Sequence, residues 1–277
     1  MLRMSRAQLL ITHLVLIVFT LFAVVPIIWV VLTSLKTESE VFSGQLRILP
    51  LSPTLDNFGE LLSRGDFLGW AVNSIFVAVI TTIVGVFLAS TCAYALSRFR
   101  FRGRSASLYV FLVAQMFPGV ILLVALYQIF TSLGLLDTPW ALVLAYSTIS
   151  IPFCILMLKG FFDTIPWELE EAARVDGVGV FGSFWRIVIP LSIPGIAVTA
   201  FYSFITAWNE FLFARSFLTS REQLTLPVGT ATFVDAFNQP WALLSAASVL
   251  ISVPVIIFFY AAQRYLLSGL TTGGVKG

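Results

Sequence analysis

Between Lys159 and Arg186 the chain leaves its apolar runs and gathers acids, Asp163, Glu168, Glu170, Glu171 and Asp176, around the small pair Ala172 and Ala173 and the glycine Gly177. Small side chains let a helix approach a partner closely, and the glutamates offer anionic partners to basic groups. The chemistry on offer is docking. Pro166 suits a first helical turn, and Glu168, Glu170 and Glu171 suit the positive end of a helix dipole. Gly177 is a natural stop. A second helical stretch runs from Phe181 through Trp185 and Ile187 into Pro190. The pattern therefore predicts a short helix, a glycine corner and another helix, over about residues 159–190.

Other polar residues fall inside apolar runs: Asn73, Gln115, Gln128, Ser147, Thr148, Ser150, Asn209 and Glu210. Within a membrane such groups line a pathway or bridge to a neighbouring helix. Glu210 alone among them is ionisable, and it sits at a run's end beside Trp208, where an interfacial carboxylate is also tolerable. A later polar segment holding Thr230, Thr232, Asp235, Asn238 and Gln239 could contact a soluble partner or a polar solute, or be a solvated loop. The only lysines, Lys36, Lys159 and Lys276, do not follow glycine in a phosphate-loop pattern. The chain cannot be its own ATP-driven motor. The lone His13 lacks partners for a metal site, and Cys92 and Cys154, both in apolar runs, read as small hydrophobes.

These residues are carried on elements built for lipid. With 58% hydrophobic and 11% charged residues and a mean hydropathy of +0.97, the chain has too little polar surface to cover a soluble globule of its size. A net charge of +2 offers no basic patch for nucleic acid. A helical crossing of the hydrocarbon core takes about 20 apolar residues. Six uncharged stretches meet that length: Arg6 to Lys36, Asp66 to Arg98, Arg104 to Asp137, Asp137 to Lys159, Arg186 to Glu210 and Asp235 to Arg264. The first is too long for a signal peptide's apolar region and lacks a small-residue cleavage site after it. The third is the longest and could hide a loop around Gly134.

Orientation follows the bases. Arg3 and Arg6 at the N-terminus, and Arg98, Arg100, Arg102 and Arg104 in the second link, place those segments and both termini in the cytoplasm, together with the acidic loop. Trp29, Trp70, Trp140, Trp208 and Trp241 fall near the expected outer ends of spans, where indoles collect. Pro26, Pro118, Pro152, Pro194 and Pro254 lie inside the runs and are expected to kink them.

The acidic loop carries a resemblance. Glu171, Ala172 and Ala173, three residues, Gly177, nine residues, Ile187, one residue, then Ile189 and Pro190 are similar to the EAA signature of ABC importer permeases. Ile189 stands where the signature has leucine, and keeps its size and apolarity. Asp176 and Phe184 resemble the sugar-transporting branch. Trp208 to Leu212, and the tail with Gly273, Gly274 and Lys276, resemble the smaller permease subunit of maltose-type transporters.

The resemblance implies an all-α, six-span type I importer permease forming one transmembrane domain over residues 1–277. It implies that Glu171, Ala172, Ala173, Asp176, Gly177, Phe184, Ile187 and Pro190 couple to an ATPase subunit, and that the tail touches it too. Asn73, Asn209, Glu210, Thr232, Asp235 and Asn238 are candidates for the pathway or for contact with a binding protein. The expected partners are a second permease, two ATPase subunits and an extracytoplasmic sugar-binding protein. No cofactor is expected in this chain, ATP and magnesium belonging to the ATPases. The rival reading is an ion-coupled secondary transporter, which builds its site from repeats and broken helices. Neither a repeat nor a charge near a span centre is evident here.

Overall fold

The computed structural model describes residues 5–45, 47–234 and 239–273, with side chains through residue 265. Every regular element among them is helical: α1 (Arg6–Ser34), α2 (Glu38–Val41), α3 (Asp56–Ser63), α4 (Gly65–Arg98), α5 (Arg104–Met116), α6 (Gly119–Ser132), α7 (Pro139–Asp163), α8 (Glu168–Val175), α9 (Val180–Leu191), α10 (Ile193–Asn209), α11 (Leu212–Phe217), α12 (Leu226–Ala231) and α13 (Trp241–Gly273), with a 3-10 turn at Arg221–Gln223. Local chemistry starts the long helices where the sequence turns apolar. Ser5 and Gln8 form a reciprocal capping box ahead of α1. Thr138 caps α7, with Pro139 at its first position.

Among the described residues four helices, α1, α4, α7 and α13, are long and apolar enough to cross a membrane unbroken. The third and fifth expected spans are instead bent pairs, α5 with α6 at 101° and α9 with α10 at 79°. Counting each pair as one crossing gives six. The expectation of straight or merely kinked spans needs correction at these two places, and the reason is local. Phe117, forced out of the α region by Pro118, is extended (φ −77°, ψ 126°). Its successor pair is Pro118-Gly119. At the second break Ser192 has left helical geometry (ψ 7°) just before Pro194-Gly195. Pro26, Pro152 and Pro254 lie within unbroken helices. Gly134, at φ +63°, ends the turn after α6, so the third stretch does close in a loop there.

The described residues form two compact units, those within 1–67 and 230–253 and those within 68–229 and 254–277. In the first unit the Asn57 side-chain amide donates to the carbonyls of Ser34 (2.9 Å) and Lys36 (2.8 Å), tying α3 to the end of α1. Glu38 accepts from the backbone amides of Ala242 (2.9 Å) and Leu243 (3.2 Å) in the first turn of α13, where a carboxylate suits the helix dipole. The apolar side chains of α1 stay uncovered along most of its length; Phe22 is 80% exposed.

In the second unit α4, α7 and α9 share a core of Ala89, Ala93, Tyr94, Leu96, Cys154, Ile155, Leu158, Phe162, Phe184 and Val188. Ala89 and Ala93, one turn apart, let the backbones approach. Gly195 serves the same end in α10: a Cβ there would stand 2.5 Å from the Phe161 ring. Asp137, at φ +59°, receives the amides of Thr219 (2.8 Å) and Ser220 (2.9 Å) and the Ser220 hydroxyl. Burial would raise its carboxyl, but these hydrogen bonds outweigh that and hold it below the usual range.

Trp29, Trp140 and Trp241 are exposed, as an interfacial belt requires, but Trp70 and Trp208 are buried. The Trp70 indole donates to the Arg221 carbonyl at 2.8 Å. Their apolarity served protein packing, a use that hydropathy does not separate from lipid contact.

Candidate coupling site

The acidic loop folds as its residues suggest. After α7 the chain turns through Thr164 and Ile165, and α8 starts behind Pro166 and Trp167 with Glu168, Glu170 and Glu171 in its first turn. The Trp167 indole donates to Glu171 at 2.8 Å, and the Arg174 guanidinium lies 5.0 Å from its ring. Gly177, at φ +81°, closes the helix: its amide donates to the Arg174 carbonyl (3.0 Å) and that of Val178 to the Ala173 carbonyl (2.9 Å). This pair of bonds is a Schellman corner, and it favours glycine because side chains resist the left-handed region.

Glu171, Ala172, Asp176 and Gly177 are exposed, and Ala173 is half-buried. Val175 (89% exposed) and Phe181 (83%) flank the corner and are apolar. Exposed carboxylates, small residues and two uncovered apolar side chains at a rigid corner make a surface fit for a partner. Phe184 is placed differently. It is buried in the core with its ring 4.9 Å from that of Tyr94. Ile187 is half-buried and Pro190 exposed. Over Phe184–Val188, two residues ahead of Pro190, α9 widens to a π-helix; in an α-helix the proline ring would collide with the Arg186 carbonyl.

Sequence reasoning missed the residues beneath this surface. Glu170 is fully buried. Its carboxylate accepts from the Tyr94 hydroxyl at 2.7 Å and from Arg98 Nε at 2.5 Å. Arg98 also donates to the Ile165 carbonyl at 3.1 Å and faces the Trp167 ring at 5.5 Å. Ser97 donates to Asp163 at 2.6 Å. The EAA spacing singles out Glu171, but nothing in the sequence marks its neighbour Glu170 as buried.

Two of the candidate pathway residues are hydrogen-bonded to nearby backbone. Asn73 donates to the carbonyls of Glu222 (2.7 Å) and Leu224 (3.0 Å). Glu210 accepts the amides of Phe213 (2.9 Å) and Ala214 (3.1 Å), capping α11. Asn209 and Thr232 are exposed. Gly273 is the last residue of α13, whereas Asp235, Asn238, Gly274 and Lys276 lie outside the described residues.

Up to six apolar crossings, two of them bent pairs, with an exposed polar corner between the fourth and fifth, are the architecture of a polytopic membrane protein. The chain belongs to the family of binding-protein-dependent transport system inner membrane components, whose model matches residues 82–272. It is 38% identical to the inner membrane ABC transporter permease protein YcjP of Escherichia coli, over 94% of this chain and 93% of that one. It is 39% identical to the sulfoquinovosyl glycerol transport system permease protein SmoH of Agrobacterium fabrum, over 91% and 88%. The trehalose transport system permease protein SugB of Mycobacterium tuberculosis is 37% identical, over 92% and 93%. Among solved structures, a chain of a bacterial ABC transporter that imports the acidic polysaccharide alginate superposes with a TM-score of 0.84 at 25% identity, covering 96% of this chain and all of that one.

Proposed function

We infer that this chain is the membrane-spanning permease subunit of an ATP-driven importer for a saccharide. The observation that carries the reading is the exposed corner at Gly177, rigid and acidic, on a chain whose lysines form no phosphate loop. Relatives named for the transport of sulfoquinovosyl glycerol and trehalose, and a solved transporter involved in alginate import, support the sugar. The subunit moves solute without covalent change. It forms one transmembrane domain, pairing with a second permease to enclose the pathway and with two ATPases that bind ATP and magnesium. An extracytoplasmic binding protein delivers the sugar. Glu171, Ala172, Ala173, Asp176 and Gly177 dock an ATPase, Phe184 anchors the corner from below, and Ile187 and Pro190 carry its movement into α10. ATP-driven closure of the ATPases pulls on the corner and rocks the permease halves between inward-open and outward-open states.

The deciding experiment reconstitutes the complete importer in liposomes and measures hydrolysis and uptake over a panel of saccharides. Expected are uptake and stimulated hydrolysis with one saccharide class, both requiring binding protein and ATP. Uptake driven by an ion gradient without ATP would refute the reading in favour of the secondary transporter.

Both termini and the corner face the cytoplasm in this reading, because the bases Arg98, Arg100, Arg102 and Arg104 cluster on that side. In a chain with Cys92 and Cys154 replaced by alanine, cysteines at Gly103 and Gly179 should react with impermeant maleimide only from the cytoplasmic side. Cysteines at Gly65 and Thr230 should react only from outside. Labelling of Gly103 from outside would reverse the orientation.

A further inference from the structure

The outer face of α8 is free to dock, but its inner face is bound by charge. A buried carboxylate is costly unless paired and hydrogen-bonded, and both oxygens of Glu170 are met by groups of α4, Tyr94 Oη and Arg98 Nε. Tyr94, Ser97 and Arg98 follow one another at i, i+3 and i+4, so they share one face at the end of α4. That face grips three successive points of the neighbouring chain: Asp163 at the end of α7 through Ser97, the Ile165 carbonyl through Arg98, and Glu170 within α8 through Tyr94 and Arg98. Apolar contacts can slide, whereas a carboxylate held by two directed donors fixes orientation as well as distance. Displacing α8 alone would strand a buried charge on each side.

We propose that the Arg98–Glu170 pair, completed by Tyr94, is the link through which movement of the docked loop helix is transmitted to α4. The proposal rests on the coupling role assigned above to the corner. In this role Arg98, Glu170 and Tyr94 are positioning residues: they touch neither sugar nor nucleotide, and the transmembrane helix moves with α8 because of them.

The test uses the complete importer. Nitroxides on cysteines at Arg100, just past α4, and Glu168, at the start of α8, both exposed, report the two elements in the Cys92→Ala, Cys154→Ala background. With native Arg98 and Glu170 the inter-label distance should be the same with and without ATP, because the two elements move as one. Arg98→Met combined with Glu170→Met replaces the buried pair by apolar groups of similar volume, an exchange that is often neutral for stability, although here it also leaves the Tyr94 hydroxyl without its acceptor. In that variant the distance should change on adding ATP, and ATP hydrolysed per sugar imported should rise about fivefold. An unaltered ratio at normal abundance overturns the proposal. If the double variant is poorly produced, Tyr94→Phe, which keeps the ring against Phe184, is decisive: the ratio should rise about twofold, and an unaltered ratio overturns the proposal. Failure of the corner's own role reads differently. Gly177→Arg would then transport normally, whereas failure of the link alone leaves Gly177→Arg inactive and the pair variant coupled.

Discussion

Gly177→Arg should leave the subunit inserted at near-normal abundance while sugar-stimulated hydrolysis by the assembled importer falls at least about tenfold, the factor that roughly 1.4 kcal/mol of lost docking corresponds to. The corner decides this split. Gly177 has φ +81°, where a residue with a Cβ costs about 1–2 kcal/mol. Nothing lies within 4 Å of the position a Cβ would take, so the fold meets strain without collision. Strain of that size is a fraction of a typical domain's stability. The arginine side chain must, however, project from the exposed corner into whatever docks there. Glu171→Lys tests the same surface by charge: it removes the acceptor of the Trp167 indole and sets a second cation beside Arg174. It should weaken recruitment of the ATPase, measured by co-purification, with insertion unaffected. Ser107→Ala, in α5 and outside the loop, should change little. Normal transport by Gly177→Arg at normal abundance would show that the corner is not the coupling element.

Purified alone and placed in liposomes, the subunit should neither hydrolyse ATP nor take up sugar, and adding the second permease, the ATPases and binding protein should restore both. Hydrolysis is beyond it because Lys36, Lys159 and Lys276 sit in no phosphate loop. Transport is beyond it if, as proposed, the pathway is shared by two permeases, of which this chain supplies one wall. The exposed apolar length of α1, with Leu10 69% and Phe19 69% exposed, is the kind of surface that lipid or a second permease must cover. Robust uptake by this subunit alone, above that of protein-free liposomes, would refute the assignment and favour ion-coupled transport.

Much of this was legible from composition and spacing, and the failures have physical causes. Uncharged stretches longer than about 20 residues announce crossings because every backbone polar group in lipid must be satisfied within the helix. Gly177 could be read as a stop because few residues accept its conformation. Whether a span survives its proline was harder to read. The two that break carry Pro-Gly, at Pro118-Gly119 and Pro194-Gly195, whereas Pro26, Pro152 and Pro254 precede Ile27, Phe153 and Val255 and stay within helices. The dipeptide is a turn signal, and counting prolines singly overlooks it. Arg98 was legible as a topogenic charge only, since nothing local tells that its partner is Glu170. Glu210 and Asn73 illustrate a further limit: a polar residue in an apolar run can be absorbed by neighbouring backbone, and sequence does not show where amides and carbonyls go unpaired.

The clamp on α8 also bears on how the protein is made. Arg98 and Glu170 are 72 residues apart, and all of α5, α6 and α7 is synthesised between them. At roughly 5–20 residues per second, several seconds pass on the ribosome during which the arginine has no carboxylate to meet. The docking helix therefore acquires its seat only after the fourth crossing has been threaded into the bilayer. A nascent chain stalled before Glu170 leaves Arg98 and Tyr94 without their carboxylate, so on the proposed role of the corner the seat of the docking helix is the last part of the cytoplasmic face to be completed before the fifth crossing is made.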